Sequence, residues 1–174
     1  KTVSVDEDLI SNVSYLGMSG FINYGTSKFD KVINLSKRIK IESYFPLVRL
    51  NELVQIIKGV TYSKEDQVYD ETNNIVLTAD NITNDGNLEV VKKVFLKTDF
   101  TIDSTKKLRK DDIFICFSSG SKNHVGKSAF VSANTEYLAG GFMGILRQCT
   151  NKVSMKYLWA ILSSNQFRVI ISQE

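Results

Sequence analysis

The sequence predicts an α+β domain. Three features carry that expectation. Short apolar runs rich in β-branched and aromatic residues recur between turn-forming residues, one short capped segment precedes them, and a stretch of helical period ends the chain.

Taken in order, residues 1–40 are polar and weakly periodic, with Gly17, Gly20 and Gly25 as punctuation and at most one short strand around residues 20–24. Residues 1–43 therefore read as an arm or connector, and 44–174 as the domain. Pro46, the single proline, biases Phe45 away from helix and pins an extended entry. Asn51 then reads as a helix N-cap before ELVQII, with Gly59 as a left-handed C-terminal residue. Beyond it β character dominates. Strands are expected at 74–77 (NIVL), 88–96, 113–117 (IFICF), 128–132 (SAFVS) and 142–147 (FMGILR), with a polar turn at 78–86 and a basic turn at 106–110. From 154 to 172, Met155, Leu158, Trp159, Leu162, Phe167 and Ile170 recur at near-helical spacing, so a helix is expected there. A break is expected at 163–165, where Ser163 or Ser164 can cap a second helix; Trp159 and Phe167 read as core. Nothing closes the pattern at Glu174, and Lys1 is no natural start, so the chain reads as a fragment of a longer protein.

Composition narrows the classes. With 43% hydrophobic and 24% charged residues, the chain has ordinary globular composition and enough apolar material for a core. Its purely apolar runs fall far short of the ~20 residues of a membrane helix, and no signal peptide opens it. Cys116 and Cys149 are too few for a disulfide framework and read as buried thiols in a reducing cytoplasm, which makes the sequons at Asn12, Asn34 and Asn81 accidental. One histidine and no Cys-x-x-Cys pair argue against structural zinc. The net charge of +3 hides an asymmetry: residues 1–91 carry 9 basic and 13 acidic side chains, residues 92–152 carry 11 and 5. A basic half on a near-neutral chain points to a localised anionic partner, against the plainer reading of a solvated lysine-rich face.

Motifs for catalysis are missing. GSKNHVGKS at 120–128 comes after a strand and resembles a phosphate-binding P-loop, but five residues separate its glycines where the motif has four. The extra residue disturbs a cradle of consecutive amides, and the segment from Ser128 onward reads as a strand rather than a helix. Methyl transfer to an exocyclic nitrogen needs an Asp/Asn/Ser-Pro-Pro-aromatic motif, which one proline cannot supply. No Glu-x-Lys or Asp-x-Lys exists for metal-dependent cleavage, and His124 stands without a Gly-x-Ser-x-Gly elbow. The same 118–128 segment suits a DNA-contacting turn. Its hydroxyls and lysines match phosphate oxygens, and Asn can pair with an adenine edge. An ordinary polar hairpin is the alternative.

Several short motifs, in order, resemble a known family. They are FPLVRLNELV at 45–54, IKGVTYSK at 57–64, IVLTADNIT at 75–83 with Gly86 soon after, LRKDDIFICFSSG at 108–120, VGKSA at 125–129 and KYLWAILSSNQF at 156–167. This order resembles the target-recognition domains of type I restriction–modification specificity subunits, and it covers roughly 44–172. The resemblance implies a curved, mostly antiparallel β-sheet with a short N-terminal helix and a C-terminal helical segment. It further implies a non-catalytic, cytoplasmic domain that reads one half of a bipartite duplex DNA site without a cofactor. Methylation and cleavage would come from associated subunits or a fused domain. Residues 31–44 look somewhat like the connector after a fused methyltransferase domain.

Three turns, 58–67, 78–86 and 118–128, hold the candidate DNA-binding residues: Lys58, Tyr62, Ser63, Lys64, Asn81, Ser119, Ser121, Lys122, Asn123, His124 and Lys127. Asn81 and Asn123 are the candidates for adenine; Lys58, Lys64, Lys122 and Lys127 are those for phosphates. No metal ligands are expected. Two other classes are weighed beside this one: a fragment of a DNA adenine methyltransferase, and a protein-interaction module whose basic face docks an acidic partner.

Overall fold

A computed structural model describes residues 48–121, 123–165 and 167–168. The expected arm at 1–43, its strand at 20–24, the Pro46 entry, Lys122 and the helix beyond Arg168 lie outside the described residues. The described part is α+β: eight strands in two four-stranded sheets, with a short helix at the front and a longer one at the end.

The strands are β1 (Val54–Lys58), β2 (Gln67–Val68), β3 (Ile75–Leu77), β4 (Val94–Leu96), β5 (Ile113–Cys116), β6 (Ser128–Phe130), β7 (Leu138–Ala139) and β8 (Met143–Gln148); the helices are α1 (Leu50–Leu53) and α2 (Met155–Leu162). One sheet has the order β1-β8-β5-β6 and is antiparallel throughout. The other has the order β2-β4-β3-β7, where β3 and β7 run parallel.

The first sheet is covered on both faces. Ile113 and Ile115 of β5 pack with Leu146, Met155, Leu158, Leu162 and Phe167, joining that face to the C-terminal helix. Phe114 and Cys116 turn the other way, into a cluster with Leu77, Leu108, Ala139 and Ile145. A strand buried on both faces reads as an unbroken apolar run rather than an alternation, and every residue of β5 is buried. Val60, Val76, Leu96 and Leu138 form a third cluster on the second sheet.

At its closed end the first sheet is pinned by an ion pair. Arg147 donates from Nε to Asp112 Oδ1 at 2.9 Å and from Nη2 to Oδ2 at 2.7 Å. It also donates to the carbonyls of Thr105 and Lys107, each at 2.9 Å. Asp112 is 2% exposed and accepts the Arg109 N–H as well.

The structure corrects several expectations. The helix expected after Asn51 occupies only Leu50–Leu53, with Arg49 at the N-cap position, and Val54–Lys58 is strand β1. Leu50, Leu53, Val54 and Ile57 fall at i, i+3, i+4, i+7, so the spacing imitates a helix. In the fold, Val54 and Ile57 face opposite sides of the sheet. All five residues of β1 register against β8, and β-branched Val54, Ile56 and Ile57 suit that pairing. Gly59 is no left-handed cap. Glycine is required there because a Cβ would sit 1.8 Å from the Gly140 carbonyl oxygen.

The strand expected at 88–96 is formed only at Val94–Leu96; Leu88 contributes an isolated bridge to Ile82. Strands β2 and β7, two residues each, were not expected. Cys116 is buried as expected, but Cys149, just past the end of β8, is exposed. After α2 the helix breaks at Ser163–Ser164, and Ser164 Oγ accepts the Phe167 N–H at 3.2 Å. Phe167 is buried, whereas Trp159 is half-buried and donates from its indole N–H to the Ser128 carbonyl at 3.3 Å.

Candidate functional site

Strand register decides which loops meet. Lys58, the last residue of β1, pairs with Gly144, and Cys116, the last residue of β5, pairs with Met143 at the start of β8. Leu77, the end of β3, lies beside Ala139, the end of β7. The segments leaving β1, β3 and β5 therefore emerge at one edge, around the tight 140–142 turn that joins β7 to β8. Between them lies a cleft of about 260 Å³.

The cleft is lined by polar groups from each segment: Tyr62 from the first, Thr78 and Asp80 from the second, Ser118, Ser119 and His124 from the third. Lys92 and Phe142 complete its rim. A larger cleft of about 370 Å³, lined by Gly86, Phe130, Lys156 and Trp159 beside α2, includes none of the candidate residues.

Charge in the first cleft is mixed: Asp80 and Lys92 line it, and Lys127 lies close enough to act on Asp80. Lys92 Nζ donates to Asp80 Oδ2 at 2.8 Å. That hydrogen bond holds the Asp80 carboxyl below its ordinary range against the opposing effect of burial, with lesser help from the nearby Lys92, His124 and Lys127. Partial burial raises the Tyr62 phenol, which stays neutral and can donate or accept. Burial pushes the Cys116 thiol up to about 11, so it is protonated at neutral pH and is not a thiolate nucleophile. Among the described residues, no group of three or more His, Cys, Asp or Glu side chains is placed to hold a metal ion.

The third segment is held by its backbone and leaves side chains accessible. Gly126 N–H donates to the Cys116 carbonyl at 2.9 Å and Lys127 N–H to the His124 carbonyl at 3.0 Å. Ser121 N–H donates to Ser119 Oγ at 3.1 Å. The Asn123 carbonyl accepts from Arg168 Nη2 at 2.9 Å, tying the loop to the C-terminal segment, while Asn123 itself is exposed. Strand β6, not a helix, begins at Ser128, so no helix N-terminus faces this loop as a P-loop would need.

The eleven candidates separate. Tyr62, Ser119 and His124 line the cleft, and Lys127 lies close enough to act on Asp80. Lys58, Lys64, Ser121 and Asn123 are exposed and do not line it. Ser63 is occupied: its N–H and Oγ both donate to Asp66 Oδ2 at 2.7 Å, capping a short 3-10 turn. Lys122 is outside the described residues.

Asn81 is corrected from base reader to scaffold, because it is 0% exposed. Its Oδ1 accepts the Thr78 N–H at 3.0 Å, its Nδ2 donates to the Glu89 carbonyl at 3.1 Å, and no edge is left for a base. Lining residues outside the eleven candidates include Asp80, Lys92 and Phe142. The paired glycines before Phe142 were the available signal, since an apolar residue right after a glycine pair is well placed to stand on a turn.

The chain is similar in sequence to two curated specificity subunits. The chain is 32% identical over 109 residues to the type I restriction enzyme EcoKI specificity subunit of Escherichia coli, covering 62% of this chain and 23% of that protein. It is 32% identical over 137 residues to the type I restriction enzyme StySPI specificity subunit of Salmonella potsdam, covering 78% and 29%. It thus spans less than a third of the length of these relatives. A crystal structure of a type I restriction-modification system S subunit from M. genitalium superposes with TM-score 0.45 at 13% identity, over 95% of this chain and 35% of that one. No family model matches the chain.

Proposed function

We propose that this chain, a relative of type I restriction enzyme specificity subunits, is a target-recognition domain that reads one half of a bipartite duplex DNA site. The similarity over 137 residues to a protein named for specificity carries the reading. Convergence of three polar segments and several cations on one sheet edge supports it. Residues 44–174 are the recognition domain, and 1–43 an arm or connector to the rest of the parent protein. The chain supplies no catalytic step. Methyl transfer and cleavage belong to cytoplasmic partner subunits or to a fused domain. A methyltransferase fragment is the weaker alternative because the Pro-Pro motif is missing from the sequence.

Asn123 reads a base edge in this scheme, as an accessible amide on a loop whose backbone is anchored by Arg168. Lys58, Lys64, Lys122 and Lys127 neutralise phosphates, while Tyr62, Ser119, Ser121 and His124 supply hydrogen bonds around them. The test is a salt titration of duplex binding with the chain and its variants, using duplexes selected from a random pool and unselected controls. Asn123→Ala is expected to cost about 1–3 kcal/mol on selected duplexes and little on controls; Lys127→Ala weakens both and lowers the salt slope by about 1. Binding that stays flat between low and moderate salt would argue for a non-electrostatic partner instead.

A further inference from the structure

Among the described residues, four large apolar side chains stand out in solvent: Tyr69, Val91, Phe142 and Tyr157. Of these, only Phe142 lines the cleft. It is 72% exposed, yet its backbone is tied down on both sides. The Phe142 carbonyl accepts two amides, from Phe117 at 3.0 Å and from Ser118 at 3.3 Å. Met143 N–H closes the turn onto the Gly140 carbonyl at 2.8 Å. The preceding glycines are seated against backbone on either side. A Cβ on Gly140 would stand 3.0 Å from the Leu77 carbonyl oxygen, and one on Gly141 would stand 3.2 Å from that of Val60.

A benzyl ring gains nothing from water or from phosphate. The lysines at this cleft, Lys92 on its rim and Lys127 close to Asp80, attract the DNA backbone, and the Phe142 ring that lines it matches the other face of a nucleic acid, the flat apolar surface of the bases. Pushing a ring between stacked bases also needs rigid backing, because a loose loop would swing away before the stack opened. The doubly anchored Phe142 carbonyl and the seated glycine pair supply that backing.

Building on the DNA-reading role above, we propose that Phe142 is a wedge whose ring enters the base stack of the bound duplex. It selects by ease of unstacking rather than by hydrogen-bonding pattern. Flexible pyrimidine–purine steps open most readily, so the position opposite Phe142 in the recognised half-site is such a step. No bond is made or broken, and the cleft's hydrogen-bonding groups remain available to neighbouring base edges.

The experiment uses the full chain and duplexes selected from a random pool, re-synthesised with 2-aminopurine at each position in turn. Binding of the wild-type chain is expected to brighten the probe several-fold at one step and leave the others quenched. Phe142→Ala abolishes that signal and weakens binding by about tenfold, as loss of one base–aromatic stack does, with the salt slope unchanged. Phe142→Trp keeps both the signal and the affinity. The unfolding midpoint of Phe142→Ala stays at the wild-type value, because an exposed ring leaves no cavity.

Equal binding by wild type and Phe142→Ala overturns the wedge while leaving DNA recognition standing. So does a loss of affinity with no brightening at any position. If that loss also vanished when deoxyuridine replaced thymine, the ring would be touching a thymine methyl group in the groove. Selection of no duplex by the wild-type chain would remove the DNA-reading role itself, and the wedge with it.

Discussion

Asp112→Ala isolates the feature that holds the sheet together away from the cleft. The substitution removes both carboxylate oxygens from Arg147, whose side chain is only 16% exposed, and one acceptor from the Arg109 N–H. Arg147 keeps the Thr105 and Lys107 carbonyls, so it stays hydrogen-bonded but without a counter-charge. Removing one partner of such a pair costs about 3–5 kcal/mol. Solvent reaches exposed Arg109, so the orphaned amide adds little and the lower half of that range is expected. Urea unfolding monitored by circular dichroism measures it; with a slope of about 2 kcal/mol/M the midpoint falls by roughly 1.5–2 M. The double variant Asp112→Ala with Arg147→Met recovers much of the loss, since no charge is left stranded. Asp112 and Arg147 flank the Ile113–Leu146 pair, whereas the cleft lies at the Cys116–Met143 end, so DNA affinity per folded molecule is unchanged. A cost below about 1 kcal/mol would mean that the pair acts as a solvated surface bridge, and the reasoning would fail.

Asn81→Ala is expected to cost about 2–4 kcal/mol in urea unfolding, because it orphans the Thr78 N–H and the Glu89 carbonyl; selective loss of cognate binding at unchanged stability would restore Asn81 as a reader. Asp80→Asn removes the acidic group that opposes phosphates in the cleft, so affinity for random duplex is expected to rise, as measured by fluorescence anisotropy. The folded-state pKa of Asp80 is depressed, so its stabilising contribution is present above the ordinary carboxylate range and is lost as pH falls through the folded value. Acid unfolding of Asp80→Asn should lack that component. With a thiol reagent near neutral pH, Cys149 reacts in the folded protein and Cys116 only on unfolding, since burial holds its thiol protonated up to about 11; two fast equivalents, resolved by mass spectrometry, would contradict the burial.

Much of the fold could be read from the chain because the central strands carry their burial in their composition. The run at 113–117 predicts β5 for the reason the structure gives: both faces are covered, so every residue is apolar. The helix break at 163–165 was equally legible, since Ser164 Oγ caps the short turn that carries Phe167. Where local pattern and long-range pairing disagreed, the pattern misled. Residues 50–57 have helical spacing, and only the partner strand β8, some ninety residues away in sequence, turns 54–58 into strand. Two-residue strands such as β2 and β7 carry no period at all; pairing with β4 and β3 defines them.

The site was legible to the level of segments and not of individual residues. The polar segments after β1, β3 and β5 meet at one edge, and register explains why. Asn81 and Asn123 are chemically identical and sit in similar polar stretches, yet one is sealed into a 3-10 turn and the other stands on an anchored loop. Composition cannot separate them, because the difference lies in which backbone groups each turn leaves unpaired. Around Asn81 the Thr78 amide and the Glu89 carbonyl both need partners, and the amide side chain supplies them. Around Asn123 the Ser121 carbonyl takes the His124 amide and Arg168 takes the Asn123 carbonyl, so the loop holds its shape without that side chain. Under the proposed DNA-reading role, accessible loop residues can change without loss of the loop's shape, whereas the capping asparagine cannot. Substitutions at Asn123 should therefore alter which DNA is bound, and substitutions at Asn81 whether the domain folds.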